Sequence, residues 1–214
     1  MSNIKSPESI RNKKLGESVV KALNDRFFEA YYCENSNDAK ALALSLIPKE
    51  ATVSWGGSAT LSQIGLIDAI KNGNYTAFDR DAVPPQEKQD MMRKAFFSDF
   101  FLTSSNAVTE DGQLLNVDGN GNRVAAMTFG PKNVIVVAGI NKIVKTIDDA
   151  MARARNYAAP INAQRFDINT PCQVTGTCAN CKSKDTICSY IVTTRVCRPA
   201  KKIKVIIVGE HLGF

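Results

Sequence analysis

Leu15, Val19, Leu23 and Phe27 recur at four-residue spacing behind a Ser6-Pro7-Glu8 start, which offers a hydroxyl cap and a proline at the first helical position. That pattern predicts one amphipathic helix. An aromatic segment ending at Cys33 reads as a strand. A helix capped by Ser36 and carrying Ala39, Leu42 and Leu46 follows and ends at Pro48, and residues 51–55 read as a buried strand. This strand runs straight into Gly56-Gly57-Ser58-Ala59-Thr60 and then a helical pattern through Leu61, Ile64, Ile67 and Ile70. Beyond Pro84-Pro85 the pattern predicts a helix over 86–97, a strand over 99–103, a polar glycine-punctuated segment over 104–123, a buried strand over 132–139 and a helix over 147–157. Residues 160–171 read as irregular, and strands are predicted over 190–196 and 203–208. Helices alternating with strand-sized apolar runs argue for an α/β fold, a layered and partly parallel sheet flanked by helices.

At 214 residues and 44% hydrophobic content the chain can bury one substantial core, so a single domain over 1–214 is expected. Its parts are a helical and strand portion over 1–50, a core with ligand loops over 51–160, a cysteine-rich insertion over 161–200 and a last strand over 201–214. No apolar run approaches the roughly 18 to 20 residues of a membrane span. Residues 1–25 are charged and amphipathic and lack the apolar stretch of a signal peptide, so a soluble, cytoplasmic protein is expected. Lys and Arg outnumber Asp and Glu by 27 to 21, and the excess gathers at Arg195, Arg198, Lys201, Lys202 and Lys204. A basic patch attracts phosphate backbones. Here no aromatic platform accompanies it, and the cations would offset a site made of thiolates, so nucleic acid is not the expected partner.

Those thiolates are Cys172, Cys178, Cys181 and Cys188, spaced C-x5-C-x2-C-x6-C in one polar stretch. Two residues between Cys178 and Cys181 let both sulfurs turn toward one ion or cluster. The outer spacings match neither a zinc ribbon nor a bacterial ferredoxin run, so an iron-sulfur cluster, of the 4Fe-4S type or another, and zinc both stay open. Disulfides and inert thiols are the alternatives. Cys33 and Cys197 read as core thiols.

The strand-to-helix segment Gly56, Gly57, Ser58 and Thr60 is what a carboxylate or phosphate cradle needs, since glycine lets the backbone approach an anion and hydroxyls add donors. A tight turn with Ser58 as helix cap would look the same. Ser105, Asn106, Asn120, Gly121, Asn122, Arg123 and Lys142 extend the candidate ligand site. Part of the region 104–123 is turn chemistry, with Glu110-Asp111-Gly112 predicting a hairpin and Asp118-Gly119-Asn120-Gly121 a second turn. The single histidine, His211, sits near the end of the chain. Acid-base or covalent chemistry therefore falls to Glu110 and Asp118, with Lys142 or a thiolate behind them.

Residues 54–66, 103–123 and 129–142 together resemble the three signature segments of the LUD (lactate-utilisation) domain family. The cysteine block and the closing Val208-Gly209-Glu210-His211-Leu212-Gly213-Phe214 resemble the tail of its short, stand-alone members. The resemblance implies the fold of ribose-5-phosphate isomerase, glucosamine-6-phosphate deaminase and CoA transferases, whose strand-end loops bind sugar phosphates or acyl groups. It also implies a link to lactate or related organic-acid metabolism and to iron-sulfur redox proteins as partners. The expected function is binding of a small anionic metabolite beside a metal or iron-sulfur centre. One alternative is a sugar-phosphate isomerase or CoA-transferase-like enzyme using Glu110 or Asp118. The other is a non-catalytic redox or regulatory partner. Unlike the larger lactate components, this sequence is expected to carry no ferredoxin-like module and no long helical extension.

Overall fold

The structure is a computed structural model that describes residues 6–214. Residues 1–5, which open the charged N-terminal stretch, lie outside the described residues. The first half of the chain forms α1 (Pro7–Asp25), β1 (Glu29–Cys33), α2 (Ser36–Ser45), β2 (Thr52–Trp55), α3 (Ala59–Gln63), α4 (Leu66–Lys71), β3 (Thr76–Phe78), α5 (Lys88–Lys94) and β4 (Phe100–Thr103). The second half forms β5 (Ala107–Thr109), β6 (Leu114–Asp118), α6 (Asn122–Thr128), β7 (Asn133–Gly139), β8 (Ile143–Val144), α7 (Ile147–Arg153), α8 (Ala159–Ala163), α9 (Pro171–Thr175), β9 (Tyr190–Thr194) and β10 (Ile203–Val208).

Six strands make one parallel sheet in the order β1-β10-β7-β4-β2-β3. Its central strands are apolar on both faces because helices cover both, as parallel sheets require. Val134, Val136 and Ala138 of β7 point with Val205 and Ile207 of β10 toward Val19 and Leu23 of α1 and Met127 of α6. Ile135, Val137, Ile206 and Val208 point the other way, toward Ala39 and Ala43 of α2, Leu61 of α3 and Ile70 of α4. The alternation of a strand's side chains thus builds two cores from one apolar run. This is the layered α/β sheet expected from the sequence.

A second, four-stranded sheet, β8-β5-β6-β9, is built from the β5–β6 hairpin inserted between β4 and β7 and completed by β8 and β9, which follow β7 in the chain. Its β5–β6 hairpin turns at Glu110, Asp111 and Gly112, as their sequence predicts. Ala107, Leu115 and Val117 bury one face of it against Ala150 and Ala154 of the helix that starts at α7. The strand predicted near residue 190 therefore belongs to this small sheet, pairing antiparallel with β6, and not to the main one.

Three local readings change. The apolar pattern 61–70 is two helices, split where Gly65 takes φ +67°, a conformation that glycine reaches without steric cost. The cap of α2 is Asn35, whose side chain accepts from the Asp38 N–H, in place of Ser36. Residues 160–163 continue the helix through a π-helical turn at Ala154–Ala158 into α8, so the irregular stretch begins only after them. Among the described residues no helix is long and apolar enough to cross a membrane.

Candidate functional site

Parallel sheets present ligands at the carboxyl ends of their strands, where the loops converge. Here the loops after β2, β4 and β7 meet at a cavity of about 90 Å³ lined by Gly57, Ser58, Ala59, Thr103, Ser104, Ser105, Asn106, Val117, Arg123, Lys142, Asn162, Arg165 and Phe214. Five residues expected from the sequence are among them: Gly57, Ser58, Ser105, Asn106 and Lys142, together with Arg123 as a sixth.

Lys142 is the chemical centre of this cavity. It sits one turn beyond the end of β7 and is only 4% exposed. Its Nζ donates to Thr60 Oγ1 at 3.1 Å and to Ser104 Oγ at 3.0 Å. Among the described residues its partners are these two hydroxyls and no carboxylate. Burial, followed by the nearby positive charges of Arg153 and Arg123, pushes its pKa down to about 7. A lysine in this setting exchanges its proton near neutrality, since desolvation disfavours the ammonium form.

Arg123 has a different part. Its guanidinium donates to the carbonyls of Ser104 and Val117, to Asn116 Oδ1 at 2.7 Å and to Asn106 Oδ1 at 3.0 Å. Its Nε lies 3.5 Å from Asp118 Oδ2. With its donors committed, Arg123 fixes the wall of the cavity and contributes positive potential, leaving little for direct contact. Gly56 makes room for it: a Cβ at Gly56 would meet Arg123 Cδ at 2.9 Å. At Gly57 the nearest atom to an added Cβ is the tip of Arg80, at 2.8 Å, which is a movable neighbour. Ser58 is the cap of α3, accepting from the Leu61 N–H at 3.3 Å, as the turn reading of this segment anticipates.

The candidate carboxylates lie elsewhere. Asp118 accepts from the N–H groups of Asn120 and Gly121 through one oxygen and of Val124 through the other, so it caps the turn that opens α6. Glu110 sits at the β5–β6 hairpin and pairs with Lys145 at 2.6 Å. Neither lines the cavity. Asn120 and Asn122 face a separate surface hollow with Met92 and Phe96, and Gly121 is the left-handed N-cap of α6 at φ +79°.

Sequence reasoning missed the wall supplied by the helix 147–163 and the segment after it. Arg165 reaches the cavity rim beside the Phe214 ring, 5.9 Å from its centroid, and hydrogen-bonds to Asn162 Oδ1 at 3.2 Å. Arg153 donates to the carbonyls of Asn106 and Asn141, while its remaining terminal nitrogen is buried without a partner. Cations on a helix that is otherwise rich in alanine were the available signal. The segment after β10 closes the site: Thr60 Oγ1 donates to the Leu212 carbonyl, and Asn141 Oδ1 accepts from the Leu212 N–H. His211 itself is exposed.

Cys172, Cys178, Cys181 and Cys188 line a second cavity, of about 100 Å³, with Arg155, Ala159, Thr170 and Ile191 among its other walls. Arg155 approaches Cys178 Sγ at 3.7 Å, and the Thr170 hydroxyl lies 3.5 Å from Cys172 Sγ. All six cysteines are free thiols. Burial and the proximity of the other three cysteines push the Cys188 thiol up to about 11. Among the described residues no group of three or more His, Cys, Asp or Glu side chains is arranged to hold a metal ion. Four cysteine sulfurs lining one cavity are donors of the kind that zinc and iron-sulfur centres both use. Cys33 and Cys197 are buried in the two main cores, apart from this cavity.

Comparison with known proteins adds the family. A DUF162 family protein from Deinococcus radiodurans has a similar fold, with TM-score 0.53 and 12% identity over 92% of this chain and 98% of that one. Weaker likenesses are eIF2B delta from Chaetomium thermophilum, at TM-score 0.35 and 18% identity over 71% of this chain and 64% of that one, and a Pseudomonas malonate decarboxylase hetero-tetramer in complex with malonate, at TM-score 0.36 and 11% identity over 88% of this chain and 40% of that one. No curated protein matches the chain. The LUD domain family model matches residues 16–208, nearly the whole of the α/β domain and the lining of both cavities except Phe214, and the chain belongs to the LUD domain family.

Proposed function

We propose that the strand-end cavity binds a small anionic metabolite, a carboxylate or phosphate of a few carbons, in keeping with the family's link to lactate and related organic acids. One observation carries this reading: among the described residues Lys142 is buried without a carboxylate partner, near Arg123, Arg153 and Arg165. A buried cation is costly unless a counter-charge meets it, and an anionic ligand is that counter-charge. The reading favours Lys142 over Glu110 and Asp118 as the reactive group, because both carboxylates are committed to other partners. Thermal shift of the full chain against lactate, glycolate, ribose 5-phosphate and inorganic phosphate tests it. Stabilisation by at least one anion, lost in Lys142→Met, is the expected result, and no stabilisation by any of them contradicts it.

The convergence of the four cysteines on one cavity supports a second reading, an iron-sulfur centre held by their thiolates. Cys172, Cys178, Cys181 and Cys188 would hold the centre, which would supply one-electron chemistry. Iron and acid-labile sulfide analysis of protein purified without oxygen tests it. One zinc and no iron would contradict it.

A further inference from the structure

Lys142 is held in a way that anion binding alone does not require. The Thr60 hydroxyl gives its own hydrogen to the Leu212 carbonyl at 3.3 Å, and the Ser104 hydroxyl is turned toward the Ser105 carbonyl at 3.5 Å. Both oxygens therefore accept from Lys142 and occupy two of its hydrogens. A neutral amine has only two, so in that state its lone pair is directed away from both hydroxyls. The side chain lines the cavity, and the positively charged arm of Arg165 stands at the rim.

We infer that Lys142 is a nucleophile that forms a Schiff base with a small anionic aldehyde or ketone, whose charged group is met by Arg165. This rests on the proposed anion site and names the substrate class within it. The amine nitrogen adds to the carbonyl carbon and the carbonyl π pair moves to oxygen. Both amine hydrogens then leave with that oxygen as water, and a C=N bond remains. No oxidant or reductant is needed. The hydroxyls of Thr60 and Ser104 fix the direction of attack, as a positioned nucleophile requires. A pKa near 7 leaves the neutral fraction of Lys142 at pH 7 roughly a thousandfold above that of an ordinary lysine.

The probes are glyoxylate, glycolaldehyde phosphate and uncharged glycolaldehyde, each incubated with the full chain at pH 7 and sodium cyanoborohydride, followed by peptide mapping. The expected product with glyoxylate is a carboxymethyl group on Lys142, at least about tenfold above any other lysine given that difference in neutral fraction. Glyoxylate and glycolaldehyde phosphate label Lys142 more than glycolaldehyde does, and whichever of the two labels more tells carboxylate from phosphate. Lys142→Arg, which keeps the charge, loses the site-specific label. Labelling spread evenly over surface lysines overturns the inference. If lactate or phosphate stabilises the protein while no probe labels Lys142 preferentially, the nucleophile is wrong and the anion site stands. If no anion stabilises it, the site itself is wrong.

Discussion

The two cavities are built by opposite means. The cleft is assembled from the ends of buried strands: β2, β4 and β7 deliver Gly56, Thr103 and Gly139, and Lys142 follows within one turn of a strand that is apolar after Asn133. Each polar group in it is triangulated by others, as Arg123 is by Ser104, Asn106, Asn116 and Val117. The cysteine segment has no such scaffold. Between α9 and β9 it contains no regular element, and it is ordered by short-range contacts such as Ser183 to the Asn169 carbonyl and the Asn169 N–H to Asp185. A site made from the core is pre-organised by folding, whereas a site made from a loop leans on what its side chains bind. The helix 147–163 lies between them, giving Arg153 and Asn162 to the cleft side and Arg155 and Ala159 to the cysteine side. Its π-helical turn, Ala154–Ala158, begins just after Arg153 and carries Arg155, and such turns recur at functional sites.

Breaking this contrast most strongly should be the removal of one thiol. Cys178→Ser or Cys188→Ser is expected to lose most of the bound iron, measured by metal analysis, and to raise hydrogen exchange across 170–189 while the six-stranded sheet stays protected. Cys33→Ser and Cys197→Ser, buried in the cores, should retain the metal. Equal iron in all variants would remove the cysteine centre.

Next in size is the pH dependence of stability. The folded amine of Lys142 titrates near 7, below its unfolded value. Below pH 7 both states are protonated and the folded chain carries the full cost of a buried ammonium. Between pH 7 and about 10 only the unfolded amine is protonated, so stability rises with pH, by up to about 1.4 kcal/mol per pH unit. Urea denaturation of the wild type should show this rise, and Lys142→Met should lack it.

A smaller effect separates the two glycines. Gly56→Val drives a side chain into Arg123 and is expected to cost about 1–3 kcal/mol, as overpacking does. Gly57→Val displaces only the end of Arg80 and should cost less. Smallest is Glu110→Gln, which removes a solvent-screened ion pair with Lys145 and should leave stability nearly unchanged and anion binding intact.

Much of the fold was legible because it follows from local periodicity. The apolar runs at 134–138 and 205–208 read as buried strands, and Glu110-Asp111-Gly112 read as a hairpin. The split at Gly65 was not, since leucine and isoleucine keep helical spacing across it. Nor was the destination of β9, because sheet membership is a long-range choice between partners. In the cleft, Gly57, Ser105, Asn106 and Lys142 were found from motif chemistry. Arg153, Asn162 and Arg165 escaped because tertiary packing, and no spacing in the chain, brings them there. Asp118 shows the limit of residue type alone: a carboxylate before Gly119 serves as a turn cap or as a base, and only its three N–H partners distinguish the two.

Calorimetric titration of lactate and of sulfate, neither of which titrates between pH 6 and 8.5, is the most direct test of an anion site centred on Lys142. An anion that pairs with the ammonium form binds with proton uptake, so affinity should fall by roughly thirtyfold from pH 6 to pH 8.5 as the amine deprotonates near 7. Lys142→Met should bind weakly and without pH dependence. Absence of binding by the wild type, or equal affinity in wild type and Lys142→Met at both pH values, would contradict the site.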